Sequence, residues 1–550
     1  MMTVDEALQH TGTIVEALQR VLEQAMAHAR TVTQAGQAID EHQVHCERLA
    51  YRATELRAMH DLLHYATDVQ QHAPHESLAA FMALAFAAEV GQKCRSDMEA
   101  QADDYGLSDA VLQDTLATPE IRRAMRAGGN EAVLRHIGQA VLETHGVNNC
   151  WLGDELAALT RQSVRDFTRQ EVEPLAERIH RHDELAPDDL IAKMGQLGFF
   201  AMSIPETYGG TGMGYVVMII TTEELSRGSL GAAGSLITRP EIVARALLEG
   251  GTEAQRRRWL PRIASGEMMV AVSVTEPDIG SDVAAITCRA TPGELAGKPG
   301  YFIDGAKAWC TFAGRGDIIG LLARTHPDSS RGARGVSLFL VEKERCYGHD
   351  FILHQPHGGL MRGTADATLG YRGMHSFTMH YEHYFVPADN LVGEAQGLHR
   401  GFYLQMSGFA NGRLQTGGRA LGLSQAAFEH SVAYTKQRAQ FGRPISTYQL
   451  TQYKLGRMAT HLAAARQLTY AAARSMERDP GLGLEAAMAK LFASDVAVWL
   501  TQEGQLLHGG WGYAEETAIS RYVVDALVLP IFEGVKSILE LKVIARQLLR

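Results

Sequence analysis

The hydrophobic positions near the start of the chain recur every three or four residues. The apolar members of this first stretch are Ile14, Leu18, Val21, Leu22, Ala25, Met26 and Ala29. This period places them on one face of a helix, which has to pack against another element. Residues 1–120 contain only four Gly and two Pro, a composition that favours long helices. We therefore predict an N-terminal helical bundle.

A helical pattern continues to about residue 250, after which the period changes to two. Alternating residues predict five strands, at 268–275, 301–303, 318–323, 336–342 and 377–385. The pair Asp304-Gly305 predicts a hairpin turn between two strands. Beyond Gly397 the helical period returns. Because the order is helical, helical, β, helical, the fold class is mainly α with a central β domain, and a Rossmann fold is not expected.

These changes of pattern predict four domains. They are an N-terminal helical extension at 1–150, an α domain at 151–269, a β domain at 270–392 and a C-terminal helical domain at 393–550.

Charge and cysteine content narrow the class of protein. Lys and Arg number 52 against 63 Asp and Glu, a net charge of −11, so nucleic acid is not an expected partner. The six cysteines form no C-x-x-C pair, which is typical of reduced thiols in the cytoplasm. His60 and His64 are interpreted as solvated helix-face residues, and no metal site is predicted. The longest apolar run, 78–88, is too short to span a bilayer, so no membrane association is expected.

Two segments of the predicted β domain carry hydroxyls and an acid where a plain core would not favour them. In residues 271–282 a strand ends in Thr275, and Pro and Gly then turn the chain, which exposes hydroxyls and backbone N–H groups. In the second segment, alternation places Trp309 and Thr311 on the same face of a strand. The alternative for the second segment is a half-buried strand with a core tryptophan.

A third segment, 530–535, holds Glu533 ahead of an amphipathic helix. Read alone, this carboxylate could be one that the helix dipole favours at a helix start. Two further motifs are R-A-Q-F-G-R-P, from Arg438, and G-G-W-G-Y, from Gly509. In this order and spacing, the five segments resemble the acyl-CoA dehydrogenase family of flavoproteins, over about residues 156–550.

The resemblance implies an α domain, a β-barrel-like domain and a C-terminal four-helix bundle, with FAD as cofactor. The family introduces an α,β double bond into an acyl-CoA thioester. A carboxylate removes the α proton, and the β hydrogen leaves as hydride to flavin N5. Glu533 matches the family's base. Some relatives carry the base on the first helix of the C-terminal domain, but no carboxylate lies between Phe402 and Ala420.

The resemblance also implies binding residues. Arg438 and Phe441 would complete the flavin site of a neighbouring subunit. The full set for flavin is Val274, Thr275, Gly280, Ser281, Trp309, Thr311, Arg438, Phe441, Gln449 and Gly510. The set for the acyl-CoA substrate is Ser281, Arg413, Gly534 and Arg239.

The acyl group is predicted from the extension and from Arg239. An N-terminal extension of this kind is uncommon in the family and resembles a member whose substrates are short, branched and carry a distal carboxylate. Arg239 falls in the helix that closes the far end of the family's acyl pocket, where it would pair with that carboxylate. The alternative is a surface arginine in an ordinary salt bridge.

The resemblance leaves other functions open. One is a generic short branched-chain acyl-CoA dehydrogenase, acting for example on isobutyryl- or 2-methylbutyryl-CoA. Another is an acyl-CoA oxidase, and a third is a DNA-binding alkylation-response relative, against which the net negative charge argues.

We expect electrons to pass to electron-transferring flavoprotein, as they do in the family. A flavin site shared between subunits implies at least a dimer. The extension could cover the surface that relatives use to form tetramers, so a homodimer is predicted.

Overall fold

The structure is a computed structural model, and it describes residues 2–74, 77–479 and 483–550. The chain forms two compact units. The first contains Met1–Ala158 and Thr416–Arg550, and the second contains Leu159–Gln415. The predicted fold class, mainly α with a central β domain, is confirmed.

The N-terminal part of the first unit is a helical bundle, as predicted. The apolar face of its first helix is buried, apart from half-buried Met26, and a capping box between Thr3 and Glu6 fixes the start of that helix. The helices are α1 (Val4–Val32), α2 (Gln43–His72), α3 (Leu78–Ala100), α4 (Ala102–Tyr105), α5 (Asp109–Thr115), α6 (Pro119–Gly128) and α7 (Glu131–Glu143).

The second unit combines helices with the sheet. Its helices are α8 (Glu155–Phe167, which begins in the first unit), α9 (Glu173–His182), α10 (Asp188–Gln196), α11 (Gly214–Gly228), α12 (Thr238–Gly250), α13 (Glu253–Ala264) and α14 (Glu394–Gly397). The strands are β1 (Val270–Ser273), β2 (Arg289–Leu295), β3 (Lys298–Thr311), β4 (Ile318–Arg324), β5 (Val336–Glu342), β6 (Asp350–His354), β7 (Leu360–Ala365) and β8 (Ser376–Pro387).

The eight strands form one sheet in the order β1-β4-β2-β3-β8-β7-β6, with β5 paired to β4. Strand β4 is buried along its whole length because it faces a core on each side. Ile318 and Leu322 pack with Trp259 of α13. Ile319 and Leu321 pack into a second hydrophobic core, which is formed mainly by residues of the strands.

All five predicted strands are present, but the predicted hairpin at Asp304-Gly305 is wrong. Strand β3 runs through this pair without a turn, and its register with β8 shifts between Ile303 and Gly305. Gly305 has φ of 141° and accommodates a bulge rather than a hairpin. The hairpin turn lies instead at Ala296 and Gly297, which both have positive φ and join β2 to β3.

The C-terminal helices complete the first unit. They are α15 (Gly401–Gln437, which begins in the second unit), α16 (Gln449–Arg478), α17 (Gly483–His508), α18 (Ala518–Ala526), α19 (Lys536–Ile538) and α20 (Arg546–Leu548), with a π-helical segment at Leu539–Ala545. A small hairpin, β9 (Ala439–Gln440) and β10 (Arg443–Pro444), precedes α16 and was not predicted.

Within the first unit, the extension packs directly on the C-terminal helices. Helices α7 and α16 approach closely because each has a glycine at the crossing. A Cβ atom on Gly138 would lie 1.9 Å from Gln452 O, and one on Gly456 would lie 1.8 Å from Leu134 O. Arg457 of α16 also donates two hydrogen bonds, of 2.6 and 3.0 Å, to the Glu89 carboxylate of α3.

Among the described residues, no helix has both the length and the apolar composition that crossing a membrane requires.

Substituting Gly138 with alanine tests the close approach of α7 and α16. We expect Gly138→Ala to destabilise the protein by about 1–3 kcal/mol, because the added methyl forces α7 and α16 apart. The measurement is urea unfolding followed by circular dichroism. Gly12→Ala is the matched control: no atom lies within 4 Å of its Cβ position, so the same change in α1 should stabilise by about 0.5–1 kcal/mol. A loss of stability in both variants would contradict the close-approach explanation.

Candidate active site

In the second unit, the end of β1 is joined to the end of β3. Lys307 Nζ donates a hydrogen bond to Val274 O at 2.8 Å, and Ala308 N donates one to Thr275 O, also at 2.8 Å. The first two segments that the sequence singled out are therefore held side by side.

A buried ion pair fixes this junction. Lys307 is fully buried, and its Nζ lies 3.0 Å from Glu276 Oε1. The backbone N–H groups of Thr287 and Cys288 each donate to the Glu276 carboxylate at 2.8 Å, and the Thr287 hydroxyl donates at 2.7 Å. Burial acts to raise the pKa of Glu276, but Lys307 and these donors outweigh it and hold the pKa below its ordinary value. Neither residue was assigned a role from the sequence, although each is a charged residue among small and apolar neighbours.

Trp309 and Thr311 do not share a face of β3, so that prediction is wrong. Thr311 is buried, and its Oγ1 lies 3.0 Å from Ser376 Oγ of β8, whereas Trp309 is 59% exposed. The reason is a second irregularity in the β3–β8 register, between Lys307 and Cys310, where Trp309 has φ of 58°. The alternative of a core tryptophan is also wrong.

The turn that follows β1 is open to solvent. Gly280 and Ser281 are both exposed, and no atom lies within 4 Å of the position that a Cβ on Gly280 would take. Arg413 is half-buried on α15. The turn therefore leaves room for a ligand beside the anchored ends of β1 and β3.

Arg239, near the start of α12, is a buried cation. It is 5% exposed, and its Nη1 donates to the Tyr371 hydroxyl at 3.0 Å. Over the described ranges, no carboxylate lies within ion-pair distance of its guanidinium. The alternative of a surface arginine in an ordinary salt bridge is therefore wrong.

Glu241, two residues further along α12, does not supply the missing charge. It is 1% exposed and accepts hydrogen bonds from the backbone N–H and the hydroxyl of Ser203. Burial raises the pKa of Glu241 to about 8, against a smaller lowering by the Ser203 backbone hydrogen bond. At neutral pH this side chain is mostly protonated. The sequence did not single it out.

In the first unit, Arg438 and Gly510 line one cavity of about 640 Å³. Gly509 and Gly510 border it without side chains, and no atom lies within 4 Å of either Cβ position. Tyr434 and His508 also line the cavity and were not predicted. Their rings stack with centroids 4.2 Å apart, and the Tyr434 hydroxyl donates to His508 O at 3.1 Å.

The R-x-x-F-G segment forms the small hairpin. Phe441 lies at its tip with φ of 51° and is 96% exposed, and Gln449 is exposed at the start of α16. Neither lines the cavity that contains Arg438.

Glu533 lies in a loop and not in the first turn of a helix. Its φ is 55°, that of Gly534 is 104°, and α19 begins only at Lys536. Lys490 of α17, fully buried, donates a hydrogen bond to Gly534 O, and Lys536 N donates to Pro530 O at 2.9 Å. The loop is therefore held in a left-handed conformation that an isolated glutamate rarely adopts. Lys490 was not predicted.

The structure has the order helical, sheet, helical along residues 155–550. Family models describe the same order: Acyl-CoA dehydrogenase N-terminal domain matches residues 154–267, middle domain 271–384 and C-terminal domain 399–549. The chain belongs to the acyl-CoA dehydrogenase family. It is an oxidoreductase acting on acyl-CoA, with FAD as cofactor.

The chain is also similar to individual members. It is 33% identical to the (2S)-methylsuccinyl-CoA dehydrogenase of Cereibacter sphaeroides, over 99% of this chain and 97% of that protein. The butyryl-CoA dehydrogenase structure from Megasphaera elsdenii matches with a TM-score of 0.65 at 29% identity, over 72% of this chain and 99% of that one. A glutaryl-coenzyme A dehydrogenase–glutaryl-CoA complex matches with a TM-score of 0.64 at 27% identity, over 70% and 93%.

The C-terminal domain model also matches residues 4–142. The extension thus resembles the family's own C-terminal helical domain. Hydrophobic periodicity predicted its helices but not this similarity, because a heptad-like pattern is common to unrelated bundles.

The residues present fit a flavin dinucleotide. Arg438 offers a cation beside glycines that leave space in the first unit. In the second unit, the turn after β1 is exposed and contains Gly280, and the end of β3, which carries Thr311, is held against the end of β1. Cations and uncovered backbone are what the diphosphate and ring edges of such a cofactor require.

Replacing Lys307 tests the junction of β1 and β3. We expect Lys307→Met to destabilise the FAD-loaded protein by about 3–5 kcal/mol, because Glu276 is left buried without its cation. The measurement is urea unfolding, followed by circular dichroism and flavin fluorescence. The double variant Lys307→Met/Glu276→Gln should recover part of the loss, since it removes the unpaired charge. Equal stability of the single and double variants would show that the pair does not carry the effect.

Proposed function

We propose that the protein desaturates a short, branched, dicarboxylic acyl-CoA, converting (2S)-methylsuccinyl-CoA to mesaconyl-CoA. The similarity to a (2S)-methylsuccinyl-CoA dehydrogenase along nearly the whole chain supports this substrate, as does the similarity to a glutaryl-CoA complex, whose acyl group also ends in a carboxylate. Such an activity would serve the ethylmalonyl-CoA pathway.

The observation that carries the proposal is the buried guanidinium of Arg239. Removing a cation from water without an anion is costly, so such a group in a folded protein needs a partner. Tyr371 supplies one neutral hydrogen bond, and Glu241 stays mostly protonated because its pKa is about 8. A distal carboxylate on the substrate is the partner that would complete the pair, whereas a monocarboxylic acyl chain would leave it unpaired.

In the proposed mechanism, the Glu533 carboxylate removes the proton from the α carbon of the thioester. The backbone N–H of Glu533 donates to the thioester oxygen, and Gly534 is the next residue of the same substrate-binding loop. This polarises the thioester and so increases the acidity of the α proton. The hydrogen bond from Lys490 to Gly534 O orients the loop. Ser281 and Arg413 bind the rest of the acyl-CoA.

FAD, when bound, supplies the two-electron acceptor for the hydrogen of the β carbon. One set of residues proposed to hold it lies in the second unit: Val274, Thr275, Gly280, Ser281, Trp309 and Thr311. The other set lies in the first unit and would serve a neighbouring subunit: Arg438, Phe441, Gln449 and Gly510. We propose a homodimer for this reason, and electron-transferring flavoprotein as the acceptor of the electrons. We also propose four domains, at 1–150, 151–269, 270–392 and 393–550.

Replacing the proposed base tests the mechanism. We expect Glu533→Gln to retain FAD and to lower the desaturation rate about 1,000-fold or more, because an amide does not accept the proton. The measurements are flavin absorbance of the purified variant and anaerobic flavin bleaching by substrate. Glu516→Gln, an exposed acid in the same unit, is the matched control and should keep the normal rate. Near-normal turnover of Glu533→Gln would refute the base assignment.

Replacing Arg239 tests the substrate. We expect Arg239→Ala to raise the KM for (2S)-methylsuccinyl-CoA about 30-fold or more, a loss of about 2 kcal/mol, and to change that for butyryl-CoA by about twofold or less. Steady-state rates are measured with both thioesters, and with succinyl-, isobutyryl- and 2-methylbutyryl-CoA.

Arg245→Ala is the matched control for that experiment. Arg245 lies on the same helix but is paired with Glu249 and Ser407, so its loss should not discriminate between the thioesters. Equal effects of Arg239→Ala on dicarboxylic and monocarboxylic substrates would contradict the assignment. If the unmodified protein turned over only the monocarboxylic thioesters, the function would be that of a generic short branched-chain acyl-CoA dehydrogenase.

A further inference from the structure

Three side chains of types that commonly bind metal ions meet in the second unit. None of them is among the proposed flavin or substrate residues. Asp183 ends α9, His349 immediately precedes β6, and His375 immediately precedes β8. Strands β6 and β8 both pair antiparallel to β7. They therefore run in the same direction, and both begin at the same edge of the sheet, where α9 also ends.

The facing atoms of these side chains are close together. His349 Nε2 lies 3.0 Å from His375 Nε2, His375 Nε2 lies 3.1 Å from Asp183 Oδ1, and His349 Nε2 lies 3.6 Å from Asp183 Oδ2. Ligand atoms about 2.1 Å from one tetrahedral ion lie about 3.4 Å from each other. The three separations are therefore those of donors that share one centre.

His375 Nε2 has at most one proton to share between its two neighbours in this arrangement. His375 Nε2 faces both His349 Nε2 and the Asp183 carboxylate, and one imidazole nitrogen either donates its single proton or accepts one. If it donates to Asp183, it has no lone pair left for His349. Three lone pairs directed at one cation would satisfy all three groups together.

The backbone around the cluster is firmly held. Asp183, which caps the C-terminus of α9, and His375 both have φ of 55°. Ala186 N donates to Gly373 O at 2.8 Å and so ties the segment after α9 to the segment before β8. Arg372 Nη1 donates to His180 O at 2.7 Å. The donors are thus pre-positioned by elements far apart in the sequence.

We propose that Asp183, His349 and His375 bind a divalent transition-metal ion of the zinc class, with solvent at the remaining position. Two imidazoles and one carboxylate are a donor set that such ions favour. His375 is 7% exposed and His349 is exposed, so the site is anchored on one side and accessible on the other. The sequence predicted no metal site because the donors are 26 and 192 residues apart.

The charge of Arg372 limits the affinity of this site. Its Nε lies 3.3 Å from Asp183 Oδ1, and a guanidinium on a ligating carboxylate opposes a bound cation while orienting the carboxylate. We therefore expect exchangeable binding of Zn²⁺ and not a permanent structural ion.

His375 lies beside the end of β3, which carries the proposed flavin residue Thr311. Phe312 N donates to His375 O at 2.8 Å, and Ser376 Oγ lies 3.0 Å from Thr311 Oγ1. An ion on His375 would therefore stiffen the start of β8, against which the end of β3 is held.

Zinc binding to the FAD-loaded, untagged protein tests the proposal. After dialysis against chelator, Zn²⁺ is titrated by calorimetry, and metal content is measured after gel filtration. We expect about one Zn²⁺ per chain. Asp183→Asn and His349→Ala should each weaken binding about 100-fold or more, since even loss of an outer partner of a metal site costs up to about that factor. Asparagine tolerates the left-handed backbone at position 183, and circular dichroism and FAD content show whether each variant is folded.

His354→Ala is the matched control. His354 is an exposed histidine at the other end of β6, and its loss should leave Zn²⁺ binding unchanged. Absence of stoichiometric binding to the unmodified protein would overturn the proposal. So would equal binding by the double variant Asp183→Asn/His349→Ala, which would place the ion elsewhere.

Discussion

The buried ion pair between Lys307 and Glu276 determines where the proposed flavin residues of the second unit lie. Strands β1 and β3 are not neighbours in the sheet, and a single backbone hydrogen bond, from Ala308 N to Thr275 O, joins their ends. The ion pair reinforces this bond, because Lys307 bridges Val274 O and a carboxylate that four hydrogen-bonding and ionic contacts satisfy. Because both charges are out of water, neither is stable there alone. The turn beyond Glu276 can then remain open and glycine-containing without losing its position.

Arg239, also in the second unit, has no carboxylate partner among the described residues. Arg239 is 5% exposed and Lys307 is fully buried, but Arg239 donates to the hydroxyl of Tyr371 and not to a carboxylate, and burial raises the pKa of nearby Glu241 to about 8. The protein itself thus compensates one buried cation. In the proposed function the distal carboxylate of the substrate compensates the other, so that one cation supports the fold and the other would select the substrate.

Local sequence patterns predicted most elements but not their irregularities. The alternation in β3 was visible, but the bulges at Gly305 and Trp309 depend on pairing with β8, some 70 residues away, and alternation cannot report a register shift. The motif around Glu533 was visible, but not its left-handed backbone or the supporting Lys490. Arg239 was found, but Tyr371, 132 residues away, was not. In each case the missing information was a long-range contact.

The extension and the C-terminal helices match the same domain model, but only the C-terminal helices carry the family's sequence motifs. Residues 4–142 match the same C-terminal domain model as residues 399–549. The connection between α1 and α2, residues 33–42, contains no R-x-x-F-G segment, and no F-E-G segment occurs in the extension. What the extension retains is a helix-packing surface, in which Gly138 faces α16 closely enough to exclude any side chain. Since packing needs only shape and apolar area whereas chemistry needs particular side chains, the extension can cover the C-terminal helices without adding a second active site.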